Sequence, residues 1–141
     1  MRKGNVKEVM GAYNRFEGEP CNASDYLLKD VLRDEWGYKG IVVSDCGAIR
    51  DFYMKGHHET HAAEASAAAV KAGCDLECGS SYAALVEAVK RGLITEAEID
   101  RSVTRLMVAK FEMGLFEKED PYNIPYSVVD CEEHRALAKQ I

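Results

Sequence analysis

The run Gly40-Ile41-Val42-Val43-Ser44-Asp45 constrains this chain more than any other stretch. Its β-branched residues lose rotamer freedom in a helix but pack well on a pleated surface, and the run is too short for a helix, so Ile41 to Val43 reads as a buried strand. Just upstream, Ser24 to Trp36 sets Leu27, Leu28, Val31, Leu32 and Trp36 at helical spacing. Ser24 or Asp25 can cap the free amides there, and Gly37 ends the helix. A strand this apolar needs neighbours on both sides, as in a parallel sheet fed by helices.

The rest of the chain extends the alternation. Val6 to Tyr13 is β-compatible, and Asn14 through Ser24, rich in Gly, Pro, Asn and Ser, reads as a long loop. Glu59 to Ala72 is alanine-rich and stops at Gly73, so a helix is expected, and Cys74 to Cys78 between glycines reads as a brief strand. Tyr82 to Arg91 puts Leu85, Val86 and Val89 on one stripe. Thr95 then opens a helix carrying Ile99, Val103, Leu106, Met107 and Phe111 to Gly114. After a linker-like stretch with Pro121 and Pro125, Cys131 to Ile141 turns helical again. Strand, helix, strand, helix, strand, helix, helix is a βα order, and its visible strands suit part of a larger barrel.

Composition narrows the function classes. The chain has 141 residues, 47% hydrophobic and 30% charged, which suits one soluble folded domain. A formal charge of -6 with scattered Lys and Arg disfavours nucleic acid and anionic lipid as partners. No apolar run reaches membrane-spanning length, and the start is not a signal-peptide core. The 5 cysteines are odd in number and lack C-x-x-C pairs, so neither a disulfide framework nor a zinc knuckle is implied, and most are expected to be reduced, buried or half-buried thiols. His57 and His61 stand one helical turn apart, but without an H-E-x-x-H pattern or an apparent third ligand a metal site is not expected. No cofactor is implied.

In parallel βα proteins, ligands and reactive groups collect at the carboxyl ends of strands. Tyr13-Asn14, Ser44-Asp45 and Glu77-Cys78 occupy such positions. On residues alone Asp45 is either a group aimed into the mouth of the sheet or a turn cap. Glu59, opening a helix, reads as a dipole-stabilising residue, and Glu77 as a polar wall.

The stretches Val9-Met10-Gly11-Ala12-Tyr13-Asn14, Gly18-Glu19-Pro20, and Leu27 through Trp36-Gly37-Tyr38-Lys39-Gly40 to Ser44-Asp45 resemble glycoside hydrolase family three, the β-glucosidases and β-xylosidases. The likeness continues through Ala72-Gly73-Cys74-Asp75-Leu76-Glu77, Gly92 to Ile99, Arg105 and Lys110 to Phe116, into the helix His134 to Ile141. It implies an α/β fold, a partial (β/α)8 TIM-like barrel made of the last three βα units plus trailing helices. Residues 1–116 would form the partial barrel, and 117–141 a linker and the start of a helix toward an absent second α/β domain. The remainder of the same enzyme would be the chain's partner.

The resemblance also implies a retaining exo-acting β-glycosidase that removes terminal sugars from oligosaccharides or glycosides. Asp45 matches the nucleophile, while the acid/base comes from outside this chain. Met10 and Tyr13 match positions lining the sugar subsite. Cys46 stands where many β-glucosidases carry tryptophan, as in the β-xylosidase and arabinosidase branch, and would reshape that subsite. A different reading is a non-catalytic remnant or carbohydrate-binding module. Incomplete strand pairing makes self-association of the isolated chain an expectation. Localisation is left open, since a signal peptide would lie upstream.

Overall fold

The computed structural model describes residues 4–54, 61–119 and 123–141. Two compact units are present, Met1–Ala109 and Lys110–Ile141.

In the first unit, β1 (Glu8–Gly11) and β4 (Ile41–Ser44) pair in parallel, with Val9 beside Val42 and Gly11 beside Ser44. On its other side β4 meets the Cys74–Cys78 segment. There the expected strand reduces to a single parallel bridge, Val43 to Leu76, secured by Ser44 N–H donating to Leu76 O at 2.9 Å. Asp75 N–H and Leu76 N–H both donate to Val42 O, at 2.8 and 3.1 Å, and this shared acceptor breaks the even spacing of a parallel ladder. β4 is nonetheless flanked on both edges, as its apolar run requires.

The loop expected between Asn14 and Ser24 contains a small antiparallel hairpin, β2 (Arg15–Phe16) with β3 (Glu19–Pro20). Glu17 and Gly18 turn it with φ of 50° and 90°, a left-handed geometry that a hydrophobicity pattern does not reveal. The following helix, Tyr26–Glu35, is wound wider than an α-helix, Trp36 N–H reaching back five residues to Val31 O. Of the two candidate caps Ser24 serves, its Oγ accepting from Leu27 N–H at 3.3 Å. Leu28 and Leu32 are buried, whereas Trp36 is exposed.

Helix α1 (Ala62–Ala72) ends at Gly73, whose φ of 110° lets its N–H close back on Ala69 and Val70. Small side chains let α1 be buried on both sides. Ala65, Ala69 and Ala72 join Leu28, Leu32, Val42, Ile49, Phe52 and Cys74, while Ala63, Ala67 and Val70 pack with Ala88 and Ile94. Beyond a single turn at Ser81–Ala84, α2 (Leu85–Lys90) buries Ala88 and packs Leu85 and Val89 of the expected stripe half-buried beside it, whereas Val86 is exposed. Helix α3 (Glu96–Glu112) begins in a reciprocal cap: Glu98 Oε2 accepts from Thr95 N–H and Oγ1–H at 2.8 Å each, and Thr95 Oγ1 accepts from Glu98 N–H. Those bonds hold the Glu98 carboxyl below its ordinary pKa. Along α3 the buried residue is Ser102, while Val103 and Phe111 of the expected stripe are exposed.

The second unit contains a 3-10 turn, Tyr126–Val128, and α4 (Glu132–Gln140). Phe111 and Phe116 rings lie 4.5 Å apart, and Asp130 pairs with Arg135 at 2.6 Å. No described helix is long and apolar enough to cross a membrane.

Candidate active site

Asp45 is the first residue past β4. Its N–H donates to Gly11 O at 3.2 Å, so the carboxyl ends of β1 and β4 are tied at the point where the side chain emerges. The next turn folds back on it. Ala48 N–H donates to Asp45 O, and Cys46 N–H donates to Asp45 Oδ1 at 2.7 Å. Half-buried, the carboxylate therefore has one oxygen engaged, while among the described residues no hydrogen bond is made to Oδ2. A strand end holding a carboxylate with one free oxygen is suited to nucleophilic attack as well as to turn capping.

Tyr13, two residues beyond β1, donates its hydroxyl to Cys46 O and so shares the turn that grips Asp45. Met10 sits on β1 opposite Val43 and is 63% exposed, an unusual state for a residue in a parallel strand. Both neighbour strand ends rather than the packed core. Gly11 makes this rim possible: a Cβ there would fall 1.8 Å from Asn22 Oδ1, and buried Asn22 donates to Ala12 O at 3.0 Å, bracing the chain between β1 and Tyr13.

Most of the cysteines are buried or half-buried thiols, as expected, but the expectation that none pair needs correction. Cys46 and Cys78 form a disulfide with their Cα atoms 4.4 Å apart, and the free thiols are Cys21, Cys74 and Cys131. An odd count hid the pair. Each of the two follows the carboxyl end of one of two adjacent segments, and that shared rim was the signal available in the sequence. Gly47 N–H to Cys78 O at 2.7 Å and Cys78 N–H to Ser44 Oγ at 3.1 Å reinforce the same junction. Burial pushes the Cys74 thiol up to about 12.

Glu77 is committed elsewhere. Its two oxygens accept from Ser81 N–H at 2.9 Å and Tyr82 N–H at 2.6 Å, capping the turn that precedes α2. A cavity of about 370 Å³ lies beside the disulfide, lined by Arg50, Glu77 and Ser80 among others. His57, His58 and Glu59 fall outside the described residues. Among the described residues no cluster of three metal-ligating side chains occurs.

Sequence reasoning overlooked Asp75. Its side chain is fully buried and accepts from Arg33 at 2.7 Å, Arg105 at 2.6 Å, Ser102 Oγ at 3.0 Å and Val42 N–H at 3.1 Å. This carboxylate joins β4, the Tyr26–Glu35 helix and α3 below the rim that carries Asp45.

Residues 3–109 match the sequence profile of the glycosyl hydrolase family 3 N terminal domain. The chain belongs to glycosyl hydrolase family 3. It is 44% identical to a xylan 1,4-β-xylosidase of Xylanibacter ruminicola, across 98% of this chain and 17% of that protein. With a periplasmic β-glucosidase of Salmonella typhimurium it shares 42% identity, across 82% of this chain and 15% of that one. Among solved structures, a GH3 exo-β-xylosidase bound to a xylobiose aziridine probe superposes with a TM-score of 0.79 at 34% identity, covering 86% of this chain and 16% of its own. A β-glucosidase of Listeria innocua in complex with glucose gives 0.89 at 29% identity, covering 99% and 19%. The chain thus spans about a fifth or less of the relatives it matches, and it shares the α/β fold of family 3 enzymes.

Proposed function

We propose that this chain is the nucleophile-bearing part of a retaining, exo-acting β-glycosidase of β-xylosidase or β-glucosidase type, built as a portion of a (β/α)8 barrel. The observation that carries the reading is the carboxylate of Asp45, fixed at a strand end by Cys46 N–H and presenting an Oδ2 to which no described residue hydrogen-bonds. The relatives named as β-xylosidases and β-glucosidases support the reaction class.

In this reading Asp45 Oδ2 bonds to the anomeric carbon as the glycosidic C–O bond breaks, and the departing oxygen takes a proton from a carboxylic acid outside these residues. Water then attacks the anomeric carbon of the glycosyl ester, gives its proton to that same group, and frees Asp45. Retaining chemistry places the two carboxyl groups about 5–5.5 Å apart. Glu77, spent on two backbone amides, is not the partner. Met10, Tyr13 and Cys46 border the sugar subsite, and the disulfide makes Cys46 a fixed apolar edge there.

An activated 2-fluoro glycoside tests the assignment in the longer polypeptide carrying these residues. The fluorine slows both steps and the good leaving group rescues the first, so a glycosyl ester should accumulate on the peptide containing Asp45. Asp45→Asn should lower turnover by roughly 10³-fold or more without loss of folding. A label on another carboxylate, or ordinary turnover by the Asn variant, would refute the assignment. Sugar-dependent chemical shifts at Tyr13 and Asp45 with no turnover would favour a carbohydrate-binding module.

A further inference from the structure

At the end of the strands opposite Asp45, five cationic side chains converge on one cavity of about 160 Å³: Lys29, Arg33, Lys71, Arg101 and Arg105. Glu98 and Ser102 complete its polar lining. Arg33 fixes its place in the fold, donating to Gly40 O, just ahead of β4, at 3.1 Å. Five residues at about 3.3 Å rise put it some 16 Å along the chain from Asp45, a separate place from the proposed catalytic rim.

The charges do not balance internally. Asp75 serves both Arg33 and Arg105, Asp25 pairs with Lys29 at 2.6 Å, and Glu98 is held by Thr95. Five cations against three carboxylates leave two positive charges in a chain whose formal charge is -6. Arg101 makes no ion pair among the described residues, and the Lys71 ammonium reaches only Leu93 O at 3.4 Å. Arg33 Nε is buried and has no hydrogen-bond partner. It packs against Gly73, where a Cβ would stand 3.5 Å from it in ordinary van der Waals contact. A buried guanidinium N–H without an acceptor calls for one. The cavity holds roughly five water volumes at about 30 Å³ each, room for a tetrahedral four-oxygen anion.

We infer that this cavity is an oxyanion site for a phosphate or sulfate group, held by Arg101, Arg105 and Lys71 on a wall backed by Arg33. Arginine's planar fork suits such oxygens, and a dianion cancels the two residual charges. The site needs no chemistry at Asp45, so it stands or falls apart from the glycosidase reading.

Isothermal titration of the 141-residue chain with sodium phosphate, sodium sulfate and glycerol 3-phosphate, with chloride at matched ionic strength as control, tests it. Saturable one-to-one binding absent with chloride is expected. The doubly substituted Arg101→Gln, Lys71→Gln chain, whose exposed positions leave the packing alone, should bind at least about tenfold more weakly with an unchanged far-UV spectrum. Tighter binding of the monoester than of inorganic phosphate would assign the site to a phosphorylated metabolite, and equal binding to the free anion. No saturable binding, or binding untouched by the double substitution, overturns the inference.

Discussion

Replacing Asp75 by Asn keeps the shape of the side chain and removes the charge that two arginines share. Arg33 has a side chain only 11% exposed, so its guanidinium would remain buried opposite a neutral amide, whereas Arg105, at 30%, can turn toward water. Breaking a buried pair by neutralising one member costs about 3–5 kcal/mol. The amide nitrogen must also face a donor, Arg33, Arg105, Ser102 or the Val42 N–H, where the carboxylate accepted from all four. We expect a loss near the top of that range, about 4–5 kcal/mol, about a third or more of a typical domain stability of roughly 5–15 kcal/mol. Urea unfolding at one fixed protein concentration, read by far-UV circular dichroism, measures it as a lower midpoint with unchanged slope. Arg105→Gln should cost about 1–2 kcal/mol, since its position is wetter and Asp75 keeps Arg33. In the double variant the two losses should fall short of additive. An Asp75→Asn loss below about 1 kcal/mol, or one equal to that of Arg105→Gln, would refute the claim that one desolvated carboxylate joins these three elements.

The remaining expectations concern the rim and the edges. Gly11→Ala puts a methyl where Asn22 Oδ1 now sits, 1.8 Å away, and should destabilise by about 1–3 kcal/mol in thermal melts; an unchanged melting point would contradict the close approach. Iodoacetamide in urea should add to three cysteines before reduction and to five after it, and reduction should lower stability by up to about 4 kcal/mol from loop entropy across the 32-residue separation; five adducts without reductant would dismiss the disulfide. Because burial holds the Cys74 thiol up to about 12, its native proton is retained while an unfolded thiol ionises from about 8.5, so its contribution to stability is full below pH 8.5 and falls as pH rises toward 12; a shallower alkaline slope in Cys74→Ala than in the parent measures this, and equal slopes would refute it. The isolated chain should sediment with a concentration-dependent mass, because among the described residues β1 pairs on one edge only and Met10 is 63% exposed; a monomer at every concentration would count against edge pairing.

How far the sequence reached can be judged element by element. The buried strand, the capped helix before it, the alanine-rich helix stopped by Gly73 and the Thr95 start of α3 were all legible, because each follows from a few neighbouring residues: β-branching, spacing, a cap, a glycine. Resemblance singled out Asp45, Tyr13 and Met10, and the structure sets Asp45 and Tyr13 on one turn through Cys46. The Asn14–Ser24 hairpin escaped notice, since left-handed turn geometry at Glu17 leaves no hydrophobic trace.

Other features belonged to tertiary structure alone. Whether Val86 or Ala88 faces inward depends on the side of α2 turned to α1, where Ala88 and Ile94 are buried with Ala63, Ala67 and Val70 while Val86 stays exposed. Cys46 finds Cys78 because β4 carries it to the rim where the Leu76 segment ends, 32 residues later. Asp75 meets Arg33 and Arg105 from 42 and 30 residues away. Local chemistry therefore decided which elements form and where they stop. Which charges, thiols and small residues meet was decided by packing, because burial and Coulomb energy depend on distance in space, and a sequence records only distance along the chain.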